Sequence, residues 1–322
     1  MPLRSCLYRA DAPDLELEVD EAAVAGLDER QLLWIDMSDP EPEEVERIAA
    51  LFGLRPSALR LPPHPHRPSL ENYGASFRIG VYAALAKGND ACHARPLALV
   101  AGENFVISVH GGDLPFIDEL RRREKGDTKL GELTAESFVA SLLDWQLSTY
   151  FHAVERLEHV VDEAEVAILG RSPPNGFLRR LVRARQEISE LRRLLKPHRD
   201  VIYGLSRPDF TPTERPEARP HFLALSEHFE RAEDALESAR DLVVGSFDLF
   251  STRAAQRMNE TMRALTFVTV LMGSLSLIAG VMGMNFGLKI FETGFAGFIT
   301  VLGLMLAIAL VALLIGRMRR WY

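Results

Sequence analysis

The sequence predicts a cytoplasmic α/β domain, layered as an α/β/α sandwich, followed by a long stalk helix and two C-terminal transmembrane helices. Three observations predict this fold class. Strand-like and helix-like segments alternate near the N-terminus, no proline follows Pro220, and two long uncharged runs lie close to the C-terminus. The chain has 322 residues and is 47% hydrophobic. Since it exceeds one typical domain, we expect a soluble region and a membrane region.

The N-terminal region alternates between short apolar runs and amphipathic segments. Leu32 to Ile35 reads as a buried strand. We expect Ser38 or Asp39 to cap the helix that follows, with Pro40 near its first turn and its end near Phe52. Two further strand-like runs complete the mixed α/β pattern, Phe77 to Ala86 and a hairpin over Leu97 to Val109 that turns at Gly102-Glu103-Asn104.

Two amphipathic helices follow, Ala135 to Leu169 and Phe177 to Lys196, and the Pro-Pro pair between Gly170 and Gly176 separates them. The first arm is acidic. The second arm carries a series of arginines, namely Arg179, Arg180, Arg183, Arg185, Arg192 and Arg193. Antiparallel arms of opposite sign can pair across their interface, although a solvated structural feature is the simplest interpretation.

The next helix is predicted to run from about His221 directly into the first membrane span. Its length would be about 95 Å at 1.5 Å per residue. One face carries four acids, each seven residues from the next: Glu227, Asp234, Asp241 and Asp248. Seven-residue spacing keeps side chains on one seam of supercoiled helices. These acids either solubilise an exposed face or form carboxylate rings that concentrate cations at an inner mouth, with Asp248 closest to the membrane.

The two uncharged runs, Ala264 to Asn285 and Gly294 to Gly316, are each long enough to cross a bilayer, which needs about 20 apolar residues. Arg253, Arg257 and Arg263 precede the first span, and the Arg317 cluster follows the second. Because basic residues flank spans on the cytoplasmic side, both termini are predicted in the cytoplasm of a plasma (inner) membrane protein. The loop that contains Glu292 is then extracytoplasmic.

Small and polar residues recur along one face of the first span at steps of three and four. They are Asn259, Met262, Thr269, Gly273, Ser276 and Gly280. Small residues also allow helices to pack closely in lipid, so packing is one interpretation. The polar end at Asn285 favours a second one, a water-filled path between several copies of the helix. Met262 and Leu265 would form a dewetting gate on its narrow apolar part.

Gly283-Met284-Asn285 at the end of the first of two C-terminal spans, after Asn259-Glu260-Thr261-Met262, resembles the CorA family of divalent-cation channels. The likeness extends over nearly all the sequence. It implies a homopentameric funnel whose pore is lined by the first span, and transport of magnesium or, in the ZntB branch, zinc. Gly283, Met284 and Asn285 would then form the selectivity filter, with the Gly283 carbonyl and the Asn285 side chain contacting the metal's hydration shell.

The sequence departs from the family pattern in the outer loop, where Phe286 to Glu292 replaces the usual Met-Pro-Glu, and at Ser274, where a proline is common. An acid of the family's regulatory metal site corresponds to Ala224. These departures leave two alternatives for the ion open, namely Mg2+ together with Co2+ or Ni2+, and a ZntB-like preference for Zn2+. A non-conducting membrane-anchored structural or sensory module is the alternative from another class.

Other functions lack a sequence signal. The net charge of −8 argues against a nucleic-acid partner, which calls for a basic patch. No GxGxxG, P-loop, GxSxG or HExxH pattern occurs, so we expect no enzyme and no cofactor other than the transported Mg2+ or Zn2+. His64 and His66 could bind a metal, although solvated histidines in a proline-stiffened loop are the favoured interpretation. The expected partners are the lipid bilayer, divalent cations and further copies of the chain.

The predicted division of the chain has seven parts. They are the α/β domain 1–134, a helical hairpin 135–220, the stalk helix 221–263, the first span 264–285, the extracytoplasmic loop 286–293, the second span 294–316 and the basic tail 317–322.

Overall fold

A computed structural model describes residues 3–28, 30–62, 67–85, 92–123, 134–170, 176–207, 210, 217–284 and 294–318. His64, His66, Asn285 and Glu292 lie outside the described residues. The chain forms two compact units. The first unit comprises Met1–Ala167 and Pro173–Ser246, and the second comprises Ile168–Ser172 and Phe247–Tyr322.

A seven-stranded mixed sheet forms the centre of the first unit, in the order β2-β1-β3-β7-β6-β5-β4. The pairing of β3 with β7 is parallel, whereas the other neighbours are antiparallel. The strands are β1 Leu3–Arg9, β2 Ala12–Glu16, β3 Gln31–Ser38, β4 Ser69–Asn72, β5 Phe77–Leu85, β6 His93–Ala101 and β7 Phe105–His110. The β6–β7 hairpin confirms the turn predicted at Gly102-Glu103-Asn104.

Eight α-helices are found in the described residues. They are α1 Glu21–Ala25, α2 Pro42–Leu51, α3 Pro115–Arg123, α4 Ala135–Leu169, α5 Phe177–Leu195, α6 His198–Leu205, α7 Arg219–Met282 and α8 Gly294–Met318, with a short 3-10 helix at Pro56–Leu59. The helices predicted for α4 and α5 occur at nearly the expected bounds. The long helix predicted from His221 begins two residues earlier, at Arg219.

Helices cover both faces of the sheet, which confirms the predicted three-layer sandwich. Alternate residues of β3 point to opposite faces. Leu33, Ile35 and Met37 join Ile48 of α2 in one buried cluster. On the other face the Trp34 ring lies 5.2 Å from the Phe138 ring of α4, with Arg121 of α3 stacked 4.6 Å from its centre.

The predicted start of α2 was wrong. The helix begins at Pro42 with Glu41 as its N-cap, in a capping box with Glu44. Asp39 instead has a positive φ of 46°, and its carboxylate accepts a hydrogen bond from the Gly112 backbone N–H at 2.8 Å. The capping-box pattern therefore outweighs Ser38 and Asp39 as a helix start.

Pairing of acids on α4 with arginines on α5, which opposite charges would allow, is not found in the described residues. The ion pair that joins these helices in the described residues has the reverse polarity, because Arg156 of α4 contacts Glu187 of α5. Arg192 turns away from α4 and pairs with Glu237 of α7 at 3.4 Å. The arginines at the start of α5 have no ion pair with the described residues.

His198, at the start of α6, connects three elements in the interior of the first unit. Its Nε2 accepts a hydrogen bond from the Tyr82 N–H of β5 at 3.0 Å, and its Nδ1 lies 2.8 Å from the Leu194 carbonyl of α5. This pattern requires the neutral tautomer with the proton on Nδ1. Burial, which favours the uncharged form, lowers the pKa of His198 to about 4.

Candidate functional site

The candidate site lies along α7, a helix of 64 residues and about 95 Å at 1.5 Å per residue. In the first unit one face of this helix packs inward. Its buried residues are Phe222, Leu225, Ser226, Phe229, Ala232, Leu236, Ala239, Val243 and Ser246. Their steps of three and four place them on a single stripe.

The four acids predicted to form a seam lie on the uncovered side of α7. Glu227, Asp234, Asp241 and Asp248 are all exposed. At 3.6 residues per turn they point roughly opposite to the buried stripe at each level of the helix. The described residues of the chain therefore leave this acidic seam uncovered.

The acidic seam is also largely unneutralised. Asp241 lies 3.8 Å from Arg240, with its side chain 73% exposed. Among the described residues, Glu227, Asp234 and Asp248 take part in no ion pair. The seam therefore carries negative charge that is available to a ligand or to another copy of the chain.

A second row of acids on α7 escaped sequence reasoning. Glu230, Glu233 and Glu237 bind side chains of the preceding helices: Glu230 accepts from the Tyr203 hydroxyl, Glu233 from Arg199, and Glu237 pairs with Arg192. The hydrogen bond to Glu233 raises the pKa of Arg199, and the one to Glu230 raises that of Tyr203. Glu230 and Glu237 are seven residues apart, as neighbouring acids of the seam are. The basic and phenolic partners of the second row therefore distinguish it from the seam.

Two polar contacts join α7 to α4 as well. The His228 ring binds the Asp144 carboxylate and stacks on Phe151 with 4.9 Å between ring centres. Further along, the Ser246 hydroxyl donates to Glu165 at 2.7 Å. Such contacts fix the rotation of α7 about its own axis and thereby decide which of its faces stays uncovered.

In the second unit, α7 and α8 are both long and apolar enough to cross a membrane. One stripe of α7 is half-buried, comprising Ala264, Phe267, Leu271, Leu275 and Ile278. On α8 the half-buried residues Gly297, Val301, Met305, Ile308 and Ala312 also recur at steps of three and four, and Ala309 beside them is half-buried too. We infer that these two stripes face each other.

The predicted small and polar face of the first span lies on the other side of α7 from this half-buried stripe. Its members, Asn259, Met262, Leu265, Thr269, Gly273, Ser276 and Gly280, are all exposed. A Cβ atom added at Gly273 or Gly280 would meet nothing within 4 Å. Packing within the chain therefore does not require glycine there, although glycine weakens a helix by roughly 1 kcal/mol relative to alanine.

The Thr269 hydroxyl on this face presents a hydrogen-bond acceptor. Thr269 Oγ1 donates its proton to the Leu265 carbonyl at 2.9 Å. Because a hydroxyl has one donor and two acceptor lone pairs, its oxygen keeps the capacity to accept from the water shell of a cation. At the end of the span, the Gly283 N–H bonds to the Ala279 carbonyl at 2.9 Å, and Gly283 and Met284 are exposed.

A single copy of the chain does not assemble a metal site from these residues. In the part of the chain that the structure describes, no group of three or more His, Cys, Asp or Glu side chains could hold a metal ion.

The fold and this uncovered polar face define a class of protein, a membrane protein whose long helix extends a polar face into an apolar span. The family of CorA-like Mg2+ transporter proteins matches residues 29–317. The chain therefore belongs to this family of divalent metal cation transporters.

Its relatives match over most of their length. The YfjQ protein of Bacillus subtilis is 27% identical over 294 residues, which cover 90% of this chain and 89% of that protein. The cobalt/magnesium transport protein CorA of Thermotoga maritima is 26% identical over 294 residues, or 89% and 83% of the two chains.

Two solved structures show the fold. The complete CorA magnesium transporter from Methanocaldococcus jannaschii has a TM-score of 0.74 at 20% identity and covers 100% of this chain and 99% of its own. The ZntB cytoplasmic domain from Vibrio parahaemolyticus has a TM-score of 0.61 at 14% identity, with 80% and 100% covered.

Proposed function

We propose that this protein conducts divalent cations, with Mg2+ as its main ion, along an axis lined by α7 in a homopentamer. The observation that supports the proposal is the exposed face of α7, which is acidic from Glu227 to Asp248 and small or polar from Asn259 to Gly280. One helix cannot enclose a path, so several copies must surround the axis. The pentameric number follows from the likeness to the CorA family.

The acidic seam would act at the inner mouth. Five copies would present a ring of five carboxylates at each of Glu227, Asp234, Asp241 and Asp248. Rings of one charge sign raise the local concentration of the opposite ion and speed its entry. The Asp248 ring stands nearest the membrane and would have the largest effect on cations that enter the span.

The outer end would select by hydration. Mg2+ holds its first water shell tightly at about 2.0 to 2.1 Å, so a filter that accepts hydrogen bonds from the shell binds the ion without stripping it. Gly283 and Asn285 are the proposed contacts, through a backbone carbonyl and a carboxamide, with Met284 between them. Neutral acceptors bind weakly enough to release the ion.

Both termini are proposed to lie in the cytoplasm of the plasma membrane, with the Glu292 loop outside. The basic residues that flank the spans support this orientation. The seven-part division of the chain given above is proposed with this orientation. The soluble region, the stalk helix and the carboxylate rings would then all lie on the cytoplasmic side of the membrane.

The test is ion uptake into proteoliposomes, measured side by side for Mg2+, Zn2+, Co2+ and Ni2+. Two matched variants test whether the exposed face of α7 that contains Ser276 lines the ion path. Ser276→Leu puts a bulky side chain on the proposed pore face, whereas Ser274→Leu makes the same change two residues away on another exposed part of α7.

We expect Ser276→Leu to lower uptake at least tenfold and Ser274→Leu to keep most of it. Equal effects of the two changes would refute the assignment of the pore face. Absence of uptake for all four ions in correctly inserted protein would instead favour a non-conducting structural or sensory module. Preferential uptake of Zn2+ would favour a ZntB-like function. The fold is also similar to that of the ZntB cytoplasmic domain.

A further inference from the structure

The α4–α5 hairpin ends in a basic and apolar surface that the described residues leave unused. Arg179, Arg180, Arg183 and Arg185 are exposed, and none of them has an ion pair with the described residues. Exposed apolar side chains accompany them, with Leu178 at 44%, Val182 at 42% and Val166 at 72% exposure. We call these seven residues the hairpin-tip surface.

The charge of this surface is one-sided. From Val166 to Gln186 the sequence contains five arginines and no acidic residue. The last acid before this stretch, Glu165, is engaged by the Ser246 hydroxyl at 2.7 Å. The first acid after it, Glu187, is engaged by Arg156.

Within the second unit, a hydrogen bond joins the residue after α4 to the part of α7 that precedes its apolar run, and the chain that leads on to α5 is short. Arg257 Nη2 donates to the Gly170 carbonyl at 2.6 Å, and both residues belong to the second unit. Arg257 precedes the first apolar residue of the span, Ala264, by about 10 Å of helix. The start of α5 follows Gly170 by seven residues, which extend over at most about 25 Å.

We propose that the hairpin-tip surface binds the anionic phospholipid headgroups of the membrane leaflet from which α7 enters. Guanidinium groups form paired hydrogen bonds with phosphate oxygens, and arginine stems cover apolar surface while their charged ends stay at the headgroups. Basic segments next to a span are attracted by anionic lipid, within a Debye length of the surface. Leu178 and Val182 enter the headgroup region between the arginines.

This binding would give α5, and through it the helix pair α5–α6, a fixed position at the membrane. Arg192 of α5 and Arg199 of α6 bind Glu237 and Glu233 of α7. Lipid at the hairpin tip therefore acts on the helices that hold α7, without contacting the proposed pore face.

The test places a fluorescent label at the tip of the full-length protein. In a Cys6→Ser, Cys92→Ala background, Val182→Cys is labelled with an environment-sensitive dye. Ser189→Cys is the matched control, because it lies on the same exposed side of α5 and about 10 Å further along. The protein is reconstituted in phosphatidylcholine vesicles with or without phosphatidylglycerol, and a nitroxide on the lipid headgroup quenches the dye.

We expect phosphatidylglycerol to increase quenching at position 182 at least twofold and to leave position 189 almost unchanged. The increase should disappear in Arg179→Gln/Arg183→Gln and at high salt. Equal quenching with and without anionic lipid would overturn the proposal. So would a label at 182 that is already shielded in detergent without phospholipid, since a protein surface would then cover the tip. Ion uptake measured in the same vesicles tests the proposed transport separately.

Discussion

The buried His198 should make the first unit lose stability in mild acid. Its neutral form is built into the structure, because Nε2 accepts from the Tyr82 N–H and Nδ1 donates to the Leu194 carbonyl. Protonation would place a second N–H against the Tyr82 N–H and bury a charge. The pKa of His198 accordingly falls from 6.5 to about 4 on folding.

The magnitude follows from that shift. A pKa difference of about 2.5 units corresponds to about 3 kcal/mol. The unfolded chain binds this proton near pH 6.5 and the folded chain only near pH 4. The contribution of neutral His198 to the free energy of unfolding is therefore lost as the pH falls between these values, and none of it remains below pH 4. Within this window the slope approaches about 1.4 kcal/mol per pH unit.

The assay is urea unfolding of the detergent-solubilised protein, followed by tryptophan fluorescence from pH 8 to 4.5. His198→Gln keeps one donor and one acceptor but does not titrate. We expect the free energy of unfolding of the parent to fall relative to this variant below pH 6.5. A constant difference across the pH range would refute the assignment of a neutral His198.

His110 supplies a control of opposite sign. Burial lowers its pKa, but the Asp36 carboxylate, 3.3 Å from His110 Nε2, more than offsets this effect, so the pKa of His110 is raised. Its contribution to stability is present below pH 6.5 and is lost as the pH rises through the folded-state pKa. The parent should therefore lose stability relative to His110→Gln on the alkaline side of pH 6.5, where His198 contributes no change.

Three further predictions concern the proposed pore. Asp248→Asn should lower Mg2+ uptake several-fold at low ionic strength and little at high salt, where screening already weakens the carboxylate ring; the same reduction at every salt concentration would contradict a purely electrostatic role. Asn285→Leu keeps roughly the side-chain size and removes its acceptors, so uptake should fall at least tenfold in intact oligomers, and parental uptake would remove Asn285 from the filter. Light scattering in mild detergent should give about five times the chain mass of 36.0 kDa, whereas a monomer would argue against a path between copies.

The parts of the fold that depend on local periodicity could be predicted from the sequence. The α4 helix and the absence of proline along α7 depend on long repeating patterns, and the β6–β7 hairpin on a turn signal between two apolar runs. Strands β1, β2 and β4 were not predicted. The place of β1 depends on a partner further along the chain, since Cys6 lies opposite Trp34 of β3, and the three sequences show no strong alternation of their own.

The spacing of the acids in the candidate site could be predicted from the sequence. Which of these acids contact other helices of the chain could not. The sequence places Asp234 and Glu233 side by side on α7, and both look like members of an acidic face. Only the fold shows that Arg199 of α6 engages Glu233, whereas Asp234 is left exposed. Similarly, opposite charges would allow Arg192 to pair with α4, and its contact with Glu237 of α7 depends on how the helices pack.

The two acidic rows of α7 have different consequences for an assembly. Glu230, Glu233 and Glu237 bind partners within the chain, so they stabilise the position of α7 whether or not other copies are present. The seam from Glu227 to Asp248 has no such contribution, and in a ring of copies its carboxylates would repel one another. Like charges that approach each other are costly unless cations stand between them. If copies surround an axis as proposed, cation binding along the seam should therefore stabilise the assembly, and cation removal should loosen the seam while leaving the contacts of Glu233 in place.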